Sequence, residues 1–436
     1  MTSRRHFLKV SGLSMAATAL PFQPSFAAAK PVILLKSSWN DMNIGDIGHT
    51  PGTLRLLERY VPEAQVVLWH AAPRPVTEAL VAKNFPKVKL VSGEFAPDKP
   101  DSPVMKAFNE ANLYIHNSGM PMNYGLFSFE WNAPMGNLTP MLYCYERNIP
   151  FGLYGQSFDK FASPSDLIFR DVLNRAAFIY TRDKDSLNYL QENKFKPAVL
   201  EFGPDGCFGI DVRDEEKGLA YLKQTGLEAG KFLAVVIRTN TAPLDGHGKS
   251  SFLNPANPTP EQQAQNRDWM TKTGAVITNW VRKTGQQVLI APESVKETKY
   301  GRTMLYATLP DDVKPRVVFR DTFWSADEAM SVYARAHTVF GMEPHSLIMA
   351  LALGVPVIHA RSIWHGRKGW MFRDIGLNEW LFDINTTSAD TMNTTLMQIH
   401  QNYPKAKEKA RMAMQVVADR QKASMQVVRK LVKLTS

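Results

Sequence analysis

The sequence predicts an α/β fold made of two doubly wound, Rossmann-like domains facing a cleft, with a C-terminal amphipathic helix. Three observations carry that expectation. Short apolar runs alternate with helical stretches through Gly/Pro loops, the pattern of a parallel sheet covered on both faces. The alternation closes near residue 213 and restarts near residue 231. Beyond residue 385 the chain ends in a long amphipathic stretch, "YPKAKEKARMAMQVVADRQKASMQVVRKLVKL", that predicts a helix packed back on the body.

The first half opens with "PVILLK", a buried strand, followed by a loop, "SSWNDMNIGDIGHTPG", and a helix, "TLRLLERYVP". "AQVVLWH" (strand), "PVTEALVAKNFP" (helix), "VKLVSG" (strand) and "ANLYIHNSG" (strand into a Gly loop) come next. "MLYCYERNIPFGLYGQSF" reads as helix then strand, and "FRDVLNRAAFIYTRDKDSLNYLQENKF" as helix, strand, helix. "PAVLEFGPDGCFG" closes the half, and residues 214–230 read as a polar linking helix. The second half restarts with the strand "KFLAVVIRT". A long Pro/Asn-rich loop follows, of the kind that walls a substrate site. "RDWMTKTGAVITNWVRKTG" (helix), "QQVLIAP" (strand), "SADEAMSVYARA" (helix) and "HTVFGM" (strand) come after it. "GMEPHSLIMALALGVPVIH" then holds a helix opened by Pro344, a glycine stop and a buried strand. The expected domains are 30–213 and 231–385, with a tail over 386–436.

Ligands of open α/β sheets bind beyond the carboxyl ends of the strands, and two facing sheets put the site between them. That rule gives a GT-B-like architecture and selects four loops: 37–52, 116–125, 238–260 and 341–346.

The chain has 436 residues, 44% hydrophobic and 21% charged, which is ordinary for a globular protein with two cores. Its formal charge is +10, but no Lys/Arg block is interleaved with aromatics, so nucleic acid is not an expected partner. An anionic glycan suits the balance, as does a merely solvated basic surface. The two cysteines, Cys144 and Cys207, form no CxxC, and sequence leaves their pairing open. No histidine–carboxylate spacing points to a metal, "DGHGK" (Asp245 to Lys249) lacks P-loop spacing, and no cofactor is expected.

Residues 1–29 read as a twin-arginine signal peptide: "SRRHFLK", a short apolar core "VSGLSMAATALPF", and small residues "SFAAA" for cleavage. Arg4, Arg5 and Lys9 lie in it, so the chain without it carries +7. The expectation is export by the Tat translocase, already folded, to a periplasm or beyond, with no permanent membrane anchor.

Several stretches, in order, resemble the polysaccharide pyruvyl transferase family. "NIGDIGHTPGTL" (Asn43, Gly45, Asp46) resembles its Asn-x-Gly-Asp opening, and "LYIHNSG" occupies the place of its strand-plus-glycine loop. "IYTRDKDSLNYL" resembles its Arg-Asp/Glu-x-x-Ser element through Arg182, Asp183 and Ser186, and "FGPDGCFGID" its Asp-Pro-x-Phe segment through Asp205 and Phe208. "VFGMEPHSLIMALALGVPVI" is similar to its Gly-x-Arg-x-His block through Gly341, His345, Ala350, Gly354 and Pro356, with Lys368 and "DIGL" following. The resemblance implies a GT-B-like fold and transfer of pyruvate from phosphoenolpyruvate onto two sugar hydroxyls as a cyclic ketal. It maps the catalytic histidine to His345 and an anion-binding arginine to Arg182.

The chain departs from that pattern two residues before the histidine, where Glu343 stands in place of arginine. Arginine is the natural clamp for phosphate or carboxylate. Like charges 4 Å apart at an effective dielectric of ~20 cost about 4 kcal/mol per pair, roughly a thousandfold in affinity. An exported protein also has no obvious supply of the cytoplasmic donor.

Each candidate residue has a functional and a structural reading. His345 is a general acid or base toward a ketal oxygen, or a capping or core histidine. Glu343 activates water or protonates a leaving oxygen, as carboxylates do in glycosidases, or only complements the helix dipole. Asn43 and Asp46 bind sugar hydroxyls or order the loop. His49 and His116 sit on loops at the same sheet edge. Arg182 holds a pyruvate carboxylate or pairs with Asp185, and Arg238 is its counterpart in the second half. Arg361, His365, Arg367 and Lys368, with Trp364 and Trp370, form a sugar-stacking, anion-holding wall or a solvated basic loop.

The function expected from these readings is hydrolytic removal of a pyruvate ketal from an exported or environmental polysaccharide, with His345 and Glu343 as acid and base. The alternatives are pyruvyl transfer onto glycan hydroxyls from phosphoenolpyruvate, and a non-catalytic glycan-binding protein.

Overall fold

The first half runs β1 (Val32–Ser37), α1 (Ile44–Tyr60), β2 (Gln65–His70), α2 (Pro75–Asn84), β3 (Lys89–Ser92), α3 (Pro103–Glu110), β4 (Leu113–Gly119), α4 (Asn132–Glu146), β5 (Phe151–Gln156), α5 (Ser165–Leu173), β6 (Phe178–Thr181), α6 (Lys184–Glu192) and β7 (Leu200–Phe202). After a 3-10 turn, Gly206–Gly209, α7 (Glu215–Thr225) leads to the second half. There follow β8 (Phe232–Ile237), α8 (Pro260–Thr284), β9 (Gln287–Pro292), α9 (Val295–Met304), β10 (Val317–Phe319), α10 (Ala326–Tyr333), β11 (Thr338–Gly341), α11 (Pro344–Ala352), β12 (Val357–Arg361), α12 (Met371–Asp374) and β13 (Leu381–Asp383). Helices α13 (Ala389–Gln401) and α14 (Tyr403–Leu434) end the chain. This is a computed structural model; it describes residues 30–123, 132–163, 165–239 and 259–434, and for 132, 133, 165 and 363–365 only the backbone. The leader, residues 124 and 125, and most of the third selected loop, with Asp245 to Lys249, lie outside the described residues.

Both sheets are parallel and share one winding order: β3-β2-β1-β4-β5-β6-β7 and β10-β9-β8-β11-β12-β13. The central strands read as unbroken apolar runs because helices cover both faces. Leu35 of β1 lies between Leu68 and Ile115, and Val236 of β8 between Ala291 and Gly341. The winding reverses between β1 and β4 and again between β8 and β11, so the two switch points are the carboxyl ends of these four strands.

Helix α1 joins the halves. It packs on α11 of the second half and on the Gly206–Gly209 turn of the first. Sequence reading leaves residues 37–52 as loop, because three glycines and Pro51 precede the periodic stretch. The helix in fact starts at Ile44. Asn43 caps it, its side-chain oxygen accepting from the backbone of Gly45 at 2.8 Å and Asp46 at 3.4 Å. The glycines mark close approach instead of a turn: a Cβ on Gly52 would stand 2.0 Å from the Gly206 carbonyl oxygen. Helix α8 likewise begins at Pro260, earlier than its apolar periodicity suggests, on a capping box of Thr259 and Gln262. Sequence reading passes over the short elements α3, α9, β10 and β13, although Ser102-Pro103 opens α3 and a capping box of Ser294 and Glu297 opens α9.

The long tail helix, α14, crosses back from the second half to the first. Ser424 meets Tyr154 at 3.1 Å, and Arg429 pairs with Glu63 at 2.6 Å. Cys144 and Cys207 are buried free thiols. No helix among the described residues is long and apolar enough to cross a membrane.

Candidate active site

The two switch points meet at a buried polar seam. From the second half, β11 ends at Gly341 and α11 begins at Pro344, which places Glu343 at the N-cap and His345 in the first turn. From the first half, the N-terminus of α1 comes so close that only glycine fits. A Cβ on Gly45 would lie 2.7 Å from His345 Nδ1 and 2.6 Å from Glu293 Oε1. The main chain seals the contact: Asn43 bridges Ser294, and the amide of Ile44 donates to the Glu293 carbonyl at 3.1 Å.

One side of His345 faces the first half. The His49 ring meets it edge-on, with centroids 4.5 Å apart, and His49 Nδ1 lies 2.9 Å from Asp205 Oδ1. Arg182 donates to Asp205 Oδ2 at 2.8 Å and to the Ser157 hydroxyl at 2.9 Å, and its guanidinium lies 3.4 Å from His345 Nε2. The Ser157 hydroxyl in turn donates to Asp183, which caps α6. The other side faces the second half. Glu343 Oε1 lies 3.0 Å from His345 Nδ1 and accepts from Lys368 at 3.0 Å, with Arg238 Nε 3.8 Å from its second oxygen.

The hydrogen bonds assign the tautomer. His345 donates Nδ1–H to Glu343, which leaves the Nε2 lone pair toward the Arg182 N–H groups. Burial and the neighbouring His49 push the imidazole down to about 3, outweighing Glu343, so it is neutral at physiological pH. Burial alone would raise Asp205, but His49 and Arg182 together hold it well below the usual carboxylate range. Burial raises Asp46, with His49, Lys368 and Arg238 opposing and Glu343 assisting.

The ligand atoms of His49, Asp205 and His345 all lie within 4.8 Å of one another, a donor set that suits a transition metal. Arg182 contacts both Asp205 and His345 Nε2, so its fixed positive charge already serves that corner. A second cation there would meet direct repulsion, and the residues do not fit a metal.

Asp205→Asn keeps the shape of this cluster and removes the charge that balances a wholly buried Arg182. The expected loss is about 3–5 kcal/mol of unfolding free energy, read as a lower denaturant midpoint. Because its folded-state pKa is depressed, Asp205 contributes stability above the unfolded-state carboxylate value of about 3.9 and loses it as pH falls further. The gap between wild type and Asp205→Asn should therefore close on acidification. An unchanged midpoint at neutral pH would refute the charge pairing.

The remaining sequence candidates separate into two groups. His345, Glu343, His49, Arg182, Arg238 and Lys368 converge on the seam, and half-buried Asp46 faces the same charges. Asn43 is spent on capping α1. His116 is buried elsewhere, between Gln156 at 2.6 Å and Asn137 at 3.2 Å. Arg361 stacks on Trp370 and pairs with Asp383, and Arg367 pairs with Asp159 at 2.9 Å and donates to the Asp185 carbonyl. Of the described side chains of the expected basic wall, then, only Lys368 reaches Glu343. The side chains of Trp364 and His365 lie outside the described residues. Sequence reading did not single out Asp205, Ser157 or Glu293 as site residues. Ser157 and Glu293 directly follow β5 and β9, so the strand-end rule applied to every strand would have found them.

A family model described as polysaccharide pyruvyl transferase matches residues 43–361. No curated protein matches the chain. Among solved structures, Anabaena HepE, in complex with UDP and glucose, superposes with a TM-score of 0.54 at 13% identity, covering 92% of this chain and 99% of that one. UDP-GlcNAc 2-epimerase from Neisseria meningitidis gives 0.54 at 10% identity, covering 92% and 100%. A glycosyltransferase from Rickettsia africae gives 0.54 at 12% identity, covering 93% and 98%. At these identities the likeness speaks for the GT-B-like fold alone.

Proposed function

The chain belongs to the polysaccharide pyruvyl transferase family, and from that premise we propose that it hydrolyses a pyruvate ketal on a polysaccharide, releasing pyruvate with water as acceptor. The observation that carries this reading is the placement of Glu343. Its carboxylate takes up Lys368 and the His345 Nδ1–H and lies beside Arg238. Arg182 is spent on Asp205 and Ser157. The seam's cations thus face the protein's own carboxylates, which suits a singly charged ketal acid and opposes a phosphate donor.

Two partly exposed cations, Arg238 at 21% and Lys368 at 18%, stand where the seam reaches solvent. Arg238 has a buried Nη1 that makes no hydrogen bond, so it has donors to spare for the ketal carboxylate. Asp46, half-buried with a raised pKa, protonates the departing sugar oxygen as its bond to the ketal carbon breaks. Water then attacks the oxocarbenium carbon, and His345 Nε2 takes its proton, with Glu343 fixing the ring through Nδ1. The hemiketal collapses to pyruvate and the second sugar hydroxyl, and the proton on His345 returns to Asp46 through solvent.

Incubation with a pyruvylated galactan tests this. Free pyruvate should accumulate, and phosphoenolpyruvate plus the depyruvylated glycan should yield no phosphate. Phosphate release with ketal formation would support the transfer reaction suggested by the family's name, and would overturn hydrolysis.

We also propose export to the periplasm through the twin-arginine route, on the strength of "SRRHFLK" and the small residues that follow the apolar core. Two buried free thiols suit an oxidising compartment, because neither is open to attack. Replacing Arg4 and Arg5 by lysine should abolish export in cell fractionation; undiminished export would contradict this route.

A further inference from the structure

Glu293 is a second carboxyl at the seam that the mechanism above does not use. It follows β9, is wholly buried, and accepts from the Ser346 hydroxyl through Oε2. Its other oxygen, Oε1, is buried with no hydrogen-bond partner. That oxygen and His345 Nδ1 converge on Gly45, within 2.6 and 2.7 Å of the same point beside its Cα. The backbone of Glu293 is tied to α1 of the other half through Ile44.

An ionised carboxylate oxygen with no donor, buried from solvent, carries a large desolvation cost, and a neutral carboxyl carries a much smaller one. The surroundings point the same way. Glu343 and Glu297 add negative charge, Tyr333 and Cys207 are neutral, and Arg238 opposes the two carboxylates as a cation. We propose that Glu293 is a positioning residue, a protonated carboxyl held by Ser346 beside His345, which leaves Glu343 free to carry the negative charge that orients His345. Burial and Glu343 push Glu293 up to about 8, in agreement with that assignment. Two neighbouring carboxyls with opposite charge states can divide the work of one site. The catalytic part of this inference rests on the hydrolytic reading; the proton on Glu293 does not.

Because its folded-state pKa is raised, Glu293 contributes stability that is complete below the unfolded-state value and is lost as pH rises toward 8. Glu293→Gln keeps a neutral group of the same shape and has no such loss. Melting temperatures of both proteins from pH 5 to 9 read the difference directly. Relative to wild type, Glu293→Gln should gain at least about 2 °C over that range. The pyruvate-release profile of wild type should fall above pH 8, and that fall should be missing in the variant. Ser346→Ala, which removes the donor that favours the ionised form, should move the stability loss to higher pH.

Parallel melting curves for wild type and Glu293→Gln, with Ser346→Ala unshifted, would overturn the inference even if pyruvate is released. A changing gap with no pyruvate release at any pH would instead sink the hydrolytic reading and leave the proton on Glu293 established.

Discussion

His345→Ala should lower pyruvate release by roughly 10²- to 10⁴-fold, the usual contribution of a positioned acid–base group. The imidazole is neutral, its Nδ1–H is held by Glu343, and its Nε2 lone pair points toward the donors of Arg182. No other described side chain brings a neutral base to this junction. His49 lies against it but is engaged with Asp205. His345→Gln offers polar atoms without basicity, so it should be nearly as inactive as alanine. Glu343 keeps Lys368 in either variant, and the fold should survive. Circular dichroism and a melting curve distinguish lost chemistry from lost structure. A variant that folds and retains more than about a tenth of the wild-type rate would remove His345 from the mechanism.

The loss should fall on kcat more than on KM. Arg238 and Lys368, not His345, are the groups assigned to the ketal carboxylate, and substrate affinity follows them.

Much of the architecture is legible in the sequence, and for a physical reason. Strands buried on both faces, such as "FLAVVI", read as unbroken apolar runs, and the helices between them repeat with a different period. The strand-end rule then pointed to the loops of His345, Glu343 and Arg238 without knowledge of any contact, and the family resemblance pointed to Arg182. What failed was local reading where tertiary contact sets the residue. Gly45 and Gly52 suggest a loop, yet they are glycines because His345, Glu293 and the Gly206 carbonyl leave no room for a Cβ. The pairing of Arg182 with Asp205 and its approach to His345 join residues 23 and 163 positions apart, and no periodicity records such pairs. The basic run after β12 shows the opposite error. Its charges suggest a free anion-holding wall or a solvated basic loop, but Arg361 and Arg367 are spent on Asp383, Trp370 and Asp159. Sequence gives the sign of a charge and leaves its partner unknown.

The second large effect concerns Glu343. Its carboxylate meets Lys368, His345 and Arg238 at the spot where the family pattern has arginine. Glu343→Arg reverses one charge there and frees two cations. It should abolish hydrolysis, since nothing would hold the His345 Nδ1–H. Glu343→Gln, which preserves shape and frees the same cations without adding one, should show an intermediate outcome and guards against a folding failure of the arginine variant.

Titration of phosphoenolpyruvate into wild type and Glu343→Arg, followed by calorimetry, tests the central claim most directly. The expected result is a wild-type Kd weaker than about 1 mM and tightening of up to about a thousandfold in the variant. Micromolar binding by wild type, unchanged or weakened by the arginine, would contradict the claim that Glu343 turns this site away from a phosphate donor.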